Sequence, residues 1–344
     1  VFPDLFLRTD ETFVTKNCSK IFEFSGIEQK DDYENYMIES FIFDLLKFKV
    51  TDSFKLYYFL ANNRKNGLKY FVENDKMLLF ILGLIENNFG KLPNYGISKI
   101  NNKIIECLNK IFFIFFSIGN NLRYLINKTR VTGNKINYYK WAVDLLSTEI
   151  ECGNFVLVEN LRRKFKLDKK DILLVFRDLN FNSRSANILE GYPIKTIYSC
   201  HKIEWTLFLK KIIELFKGYL PVFKNYFRLD YVFLSKLCEI PYAKLRLNIF
   251  FEKNRVKNFL SRDDYSYWHR IRTLEIRKIG GTNIGFAHGI AWQKNWNVPK
   301  YYFFDSYMVL CEEQKNNSNN RWLPEMKVIT TSGYRLTDYK MNKL

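Results

Sequence analysis

Trp268-His269-Arg270-Ile271-Arg272-Thr273-Leu274-Glu275-Ile276-Arg277-Lys278, then Gly280-Gly281, then Thr282-Asn283-Ile284-Gly285-Phe286 and Ala287-His288-Gly289, is the stretch on which the fold turns. Trp268, Ile271, Leu274 and Lys278 recur at helical spacing. The glycine pair after them predicts a helix stop, because glycine takes the left-handed conformation that closes a helix. The five residues from Thr282 read as a short strand. A helix that feeds a strand, with His288-Gly289 delivered to that strand's carboxyl end, is the grammar of an open α/β sheet, whose ligands collect at that edge. Gly289 lets the backbone turn and approach a ligand with no Cβ in the way.

The same grammar extends outward. Asn154–Val158, Asp171–Phe176, Leu247–Phe251, Tyr307–Leu310 and Lys327–Ile329 are short apolar runs with β-branched content. Helix-like segments separate the later ones, so all five are predicted strands of a parallel sheet covered on both faces. Residues 30–127 differ: apolar residues recur at helical spacing through Tyr36–Leu45 and Met77–Ile85. The fold class expected is therefore α/β, with a Rossmann-like parallel sheet in the C-terminal half and a mainly helical N-terminal half. The polar segment Asn127–Asn137, which contains Gly133, marks the boundary, giving a helical domain over 1–137 and a basic α/β domain over 138–344. The most apolar run, Ile111–Phe116, is bracketed by Lys110 and Arg123, too tightly for the roughly 20 residues a bilayer-spanning helix needs. It is expected to be a core helix, with dipping into a membrane surface as the second option.

Charge is unevenly spread. Of the net +18, residues 151–344 carry +15, from 34 Lys and Arg against 19 Asp and Glu, and residues 1–150 only +3. A field of that kind favours phosphate-bearing molecules, an anionic membrane or nucleic acid. Within Leu207–Arg262, twelve Lys and Arg face four carboxylates. There Phe208, Ile212, Leu215 and Tyr219 share one helical face while Lys210 and Lys217 point elsewhere, as on a helix lying on an anionic bilayer. An ordinary amphipathic helix packed on a sheet fits the same spacing. The aromatic content, 17%, excludes a disordered chain. Six cysteines lie dozens of residues apart with no CxxC spacing, and no signal peptide is visible at Val1, so reduced thiols and a cytoplasmic location are expected. No Walker loop, GxGxxG, HExxH or Ser-His-Asp motif is present.

The order helix, strand, His288-Gly289, aromatic-rich loop, Phe304-Asp305-Ser306-Tyr307-Met308-Val309-Leu310, then Val328 to Gly333 and Asp338, resembles CDP-glycerol glycerophosphotransferases and capsule- or lipopolysaccharide-type glycosyltransferases over roughly seventy residues. The resemblance implies a GT-B type architecture of two Rossmann-like domains. It further implies a nucleotide-sugar or CDP-glycerol-like donor, a polysaccharide or lipid-linked acceptor, and work at the inner face of the cell membrane, peripheral to an anionic surface. In those families a second Rossmann-like domain follows the Gly-Asp turn, where this sequence has only the residues to Leu344. A partner chain supplying that domain is one reading of the departure. The competing classes are a non-enzymatic nucleic-acid-binding protein, on the strength of the +15 half, and an inactive partner subunit of a transferase.

In this scheme His288 is the catalytic base on the acceptor hydroxyl, since an imidazole near its ordinary pKa accepts a proton at physiological pH. Asp305 orients it, or caps a turn at a strand start. Arg270, with Arg272, Arg277 and His269, clamps donor phosphates or forms a solvated helix face. Gly289 allows close approach, and Trp292 and Trp296, with Tyr301 and Tyr302, offer stacking platforms or core packing. Ser332 and Gly333 present backbone N–H groups to a phosphate, or form a plain turn. Asp263-Asp264 reads as a helix cap. No metal site and no cofactor beyond the nucleotide-activated donor are expected.

Overall fold

The computed structural model describes residues 20, 50, 52–61, 70–72, 76–92, 95–97, 103–128, 136–145, 150, 155–176, 187–196, 205–227, 234–235, 237–261, 268–287, 302–317 and 325–331. The chain divides into two compact units. One comprises Val1–Ser117, Leu220–Glu239 and Asn295–Asn297; the other comprises Ile118–Tyr219, Ile240–Lys294 and Val298–Leu344.

In the first unit, a helix over 52–61 and α1 (Lys76–Phe89) bury Phe54, Tyr57, Leu60, Ile81, Leu82 and Ile85. The Tyr57 hydroxyl donates to the carbonyls of Phe89 and Gly90 at 2.9 Å each, satisfying acceptors that α1 leaves open at its end. Two short strands, β1 (Phe71–Val72) and β2 (Gly96–Ile97), pair in parallel. The run Ile111–Phe116 lies in α2 (Lys103–Lys128), and here the core-helix expectation is corrected. Ile114 is buried, but Phe112, Phe115 and Phe116 are exposed, Phe112 by 70%.

The second unit contains a seven-stranded sheet built from β3 (Asn137–Leu145), β4 (Ile172–Phe176), β5 (Ile194–Thr196), β6 (Asn254–Ser261), β7 (Thr282–Phe286), β8 (Ser306–Val309) and β9 (Lys327–Thr330). Its order is β5-β4-β3-β6-β7-β8-β9, and every neighbouring pair is parallel. Counted from β3, this is the doubly wound, Rossmann-like arrangement with a seventh strand added. The chain builds outward from β3 through β4 to β5, then crosses back and resumes on the other side of β3 with β6.

Covering helices lie on both faces, as a parallel sheet requires. On one face, Val143, Leu145, Leu174, Phe176 and Leu260 pack with Leu157 and Val158 of α3 (Val156–Lys164). β4 is buried along its whole length. The other face takes α5 (Glu239–Lys253) and α6 (Trp268–Arg277), with Phe251 and Phe259 meeting edge to face at 6.0 Å. Against α5 packs α4 (Trp205–Tyr226), closely enough that a Cβ on Gly218 would stand 3.3 Å from Pro241. The buried Lys211 of α4 bridges these helices: its ammonium donates to Glu252 at 2.8 Å, to Glu214 at 3.0 Å and to Asn248. Asn248 in turn donates to Glu275 at 2.9 Å.

Two predicted strands are helices instead. Within Asn154–Val158, Phe155 is the N-cap of α3 and Val156 to Val158 form its first turn, and Leu247–Phe251 lies inside α5, where Leu247, Ile249, Phe250 and Phe251 are all buried. An apolar run of five fits a deeply buried helix as well as a strand, and the surrounding fifteen-residue helix decides it. The bilayer-facing assignment within α4 is also corrected: Phe208, Leu215 and Tyr219 face the protein interior.

Candidate functional site

In a doubly wound sheet, ligands bind outside the carboxyl ends of the strands where the order reverses. Here that switch point lies between β3 and β6, one strand away from the β7 end on which the sequence reading centred. Three buried polar side chains meet there: Asp144 near the end of β3, Ser261 at the end of β6, and Arg272 on α6. The Arg272 guanidinium donates to the Ser261 hydroxyl and stands 3.4 Å from the Asp144 carboxylate. Its central carbon lies 4.7 Å from the Phe259 ring centre, on the same face of β6. Arg272 is 2% exposed and its Nε, also buried, has no hydrogen-bond acceptor among the described residues. An arginine so deep requires its carboxylate neighbour, because an uncompensated buried charge costs several kcal/mol.

Local sequence explains how α6 is held over this edge. The helix closes as expected: Gly280 has φ +76°, its N–H bonds the Arg277 carbonyl at 3.0 Å, and the Gly281 N–H reaches the Ile276 carbonyl at 3.1 Å. That double bond pattern is the Schellman closure. A Cβ on Gly281 would meet the Val256 carbonyl oxygen at 2.4 Å, so only glycine fits where the chain leaves α6 for β7. Asn283 then ties strand to helix, donating to the Thr273 hydroxyl at 2.8 Å and the His269 carbonyl at 3.3 Å. Gly285 makes room for the rings of Phe304 and Tyr307, which a Cβ would approach to 2.8 and 2.7 Å.

No family model, curated protein or solved structure matches the chain.

The residues singled out from the sequence fall into three groups. His288, Gly289, Trp292, Trp296, Tyr301, Ser332 and Gly333 lie outside the described residues, as do Asp263 and Asp264. The described residue next to His288 is Ala287, which follows β7 directly and is buried; its N–H donates to the Met308 carbonyl at 2.9 Å. A second group is in the core. His269 is fully buried and stacks on Phe304 at 4.6 Å between ring centres, and Tyr302 is buried beside it. Arg270, at 2% exposure, belongs to the packed interior and not to a solvated helix face.

Asp305 stands elsewhere again. Its carboxylate accepts from Arg277, with nitrogen-to-oxygen distances of 2.7 Å, and from the Asn283 N–H at 2.6 Å. Those partners place it at the amino-terminal ends of β7 and β8, the opposite end of the strands from residue 287. It thus locks a strand start to the helix, the ordinary role of a carboxylate at a strand entrance, and is not brought together with the carboxyl edge.

Arg272 was within reach of sequence reasoning as one of three arginines on the quoted helix. Asp144 was not singled out, although a lone carboxylate in Ala142-Val143-Asp144-Leu145 is a polar interruption at the end of an apolar run. Among the described residues no cluster of three His, Cys, Asp or Glu has metal-binding spacing.

Proposed function

We propose that the sheet binds the nucleotide part of an activated donor at the switch point between β3 and β6, and that the protein is a GT-B type glycosyl- or glycerophosphotransferase of cell-surface polymer synthesis. The observation that carries the reading is the strand order. The order reverses at the carboxyl ends of two neighbouring central strands, β3 and β6, beside a buried arginine whose Nε N–H has no acceptor among the described residues. Doubly wound sheets with this order bind phosphate-bearing ligands outside that edge, and a guanidinium donor suits a phosphate oxygen. The strongly basic balance of residues 151–344 supports the same ligand chemistry. His288, following the neighbouring strand, is the base we assign to the acceptor hydroxyl, with the polysaccharide or lipid-linked acceptor approaching from that side.

The test is a thermal-shift screen against CMP-, CDP-, UDP- and GDP-linked donors, with a single-stranded oligonucleotide titrated across salt beside it. A donor at 100 times its dissociation constant stabilises by about 2.7 kcal/mol, a rise of roughly 5–10 °C in a domain of this size. His288→Ala is expected to keep that rise and lose transfer. Failure of every donor to raise the melting temperature, with tight and steeply salt-dependent oligonucleotide binding, refutes the transferase and selects nucleic-acid binding. A donor response with no transfer under any acceptor selects the inactive subunit.

A further inference from the structure

The apolar residues of α4 are divided between two faces. Phe208, Leu215, Tyr219 and Val222 are buried against the protein, with Lys211 among them. Leu209, Ile213, Phe216 and Leu220 recur at spacings of four, three and four, which places them in one narrow stripe, and all four are exposed, Leu209 by 62% and Leu220 by 65%. Lys210, Lys217 and Lys224 recur every seven residues along one flank of that stripe, and all three are exposed. Glu214 is the one carboxylate on the exposed side, 3.9 Å from Lys210. No described helix is long and apolar enough to cross a membrane.

We propose that α4 docks the protein on an anionic phospholipid surface, with the Leu209-Ile213-Phe216-Leu220 stripe entering the headgroup boundary and the three lysines resting on lipid phosphates. An interfacial helix is recognised by this combination: an exposed apolar stripe, a basic border and too little length of pure hydrocarbon to span. The alternative occupant, a second copy of the chain packed stripe to stripe, brings the lysine rows of two copies together at a two-fold interface, and the high positive charge of the whole chain opposes it further. A bilayer carrying anionic headgroups reverses the sign of that interaction. The inference stands on this helix and is independent of what the sheet binds.

The experiment is vesicle co-sedimentation of the full chain, with vesicles of phosphatidylcholine alone and with 30% (about one third) phosphatidylglycerol. Binding is expected on the anionic vesicles and not on the neutral ones, and is expected to fall steeply with salt. Lys210→Gln/Lys217→Gln/Lys224→Gln is expected to weaken it on the order of 100-fold, each lysine near such a surface accounting for roughly fivefold. Ile213→Asp/Phe216→Asp is expected to abolish binding while its melting temperature stays at that of the parent, since both positions are exposed. Equal binding by the parent and the Ile213/Phe216 variant overturns the proposal. So does concentration-dependent dimerisation of the parent that this variant loses, which assigns the stripe to a second copy.

Discussion

Removing the Asp144 carboxylate tests whether the switch-point arginine is held as described. Asp144→Ala leaves the Arg272 guanidinium buried with the Ser261 hydroxyl and the face of Phe259 as its remaining named neighbours. At the observed 3.4 Å, unit charges in a medium of effective dielectric near 20 attract by about 5 kcal/mol, and breaking a buried pair from one side costs about 3–5 kcal/mol. At roughly 2–4 °C per kcal/mol, the melting temperature is expected to fall by roughly 6–20 °C in differential scanning calorimetry. Arg272→Met is expected to cost a similar amount, since it strands the carboxylate. The double variant Asp144→Leu/Arg272→Met removes both charges and keeps volume, and is expected to melt close to the parent or above it. A fall of less than about 3 °C for Asp144→Ala, which corresponds to about 1 kcal/mol, or a double variant as damaged as the two single losses combined, refutes the pairing. With donor nucleotides bound at the switch point as proposed, the well-folded double variant is also expected to show no donor-induced shift.

Two further perturbations bear on the frame around the site. Gly281→Ala pushes a methyl against the Val256 carbonyl oxygen, a backbone atom in β6, and is expected to cost about 3 kcal/mol; a melting temperature equal to the parent's would show that the turn from α6 to β7 has slack. The Glu159 carboxyl is subject to burial, which raises its pKa, but hydrogen bonds from Tyr192 and Arg162 and the nearby positive charges of Arg162 and Lys169 outweigh it and hold it below the usual value of 4.5. Its stabilising effect is therefore present above that value and is lost as pH falls through the depressed one. Tyr192→Phe is expected to lower stability by about 1.5 kcal/mol at neutral pH, by a margin that shrinks as the solution is acidified below pH 4.5. A margin that stays constant from neutral pH down to about 1.5 units below the usual value of 4.5 would rule out the charged hydrogen bond.

Much of the sheet was legible because parallel strands covered on both sides are continuous apolar runs. β4, β7, β8 and β9 all follow that rule closely enough to be read directly, and so does the glycine stop of α6. The two central strands do not. β3 begins Asn137-Tyr138-Tyr139-Lys140 and β6 begins Asn254-Arg255-Val256-Lys257, so each is polar through its amino-terminal half and apolar only toward the carboxyl end. Exposure follows the same division in β3, with Tyr138 76% exposed and Ala142 to Leu145 buried. The switch point is hidden in the sequence along with its two strands, and the legible strand beside it is β7. Arg270 and His269 were misplaced for a different reason. Helical periodicity marks an apolar stripe, but α6 is buried around nearly its whole circumference, its polar side chains included. No periodicity distinguishes that case from a solvated face.

The register of β3 against β6 has a consequence for how the protein is made. Asn137 pairs with Asn254, so the middle of the sheet joins segments separated by more than a hundred residues of chain. On the ribosome, β3, β4 and β5 emerge early as a three-strand fragment, while the strand that must cover the open edge of β3 follows after on the order of 10 s of synthesis. During that interval the backbone donors and acceptors of the future sheet centre face other nascent chains. Synthesis rate and chaperone occupancy over that interval, more than the stability of the finished sheet, then set the yield of folded protein.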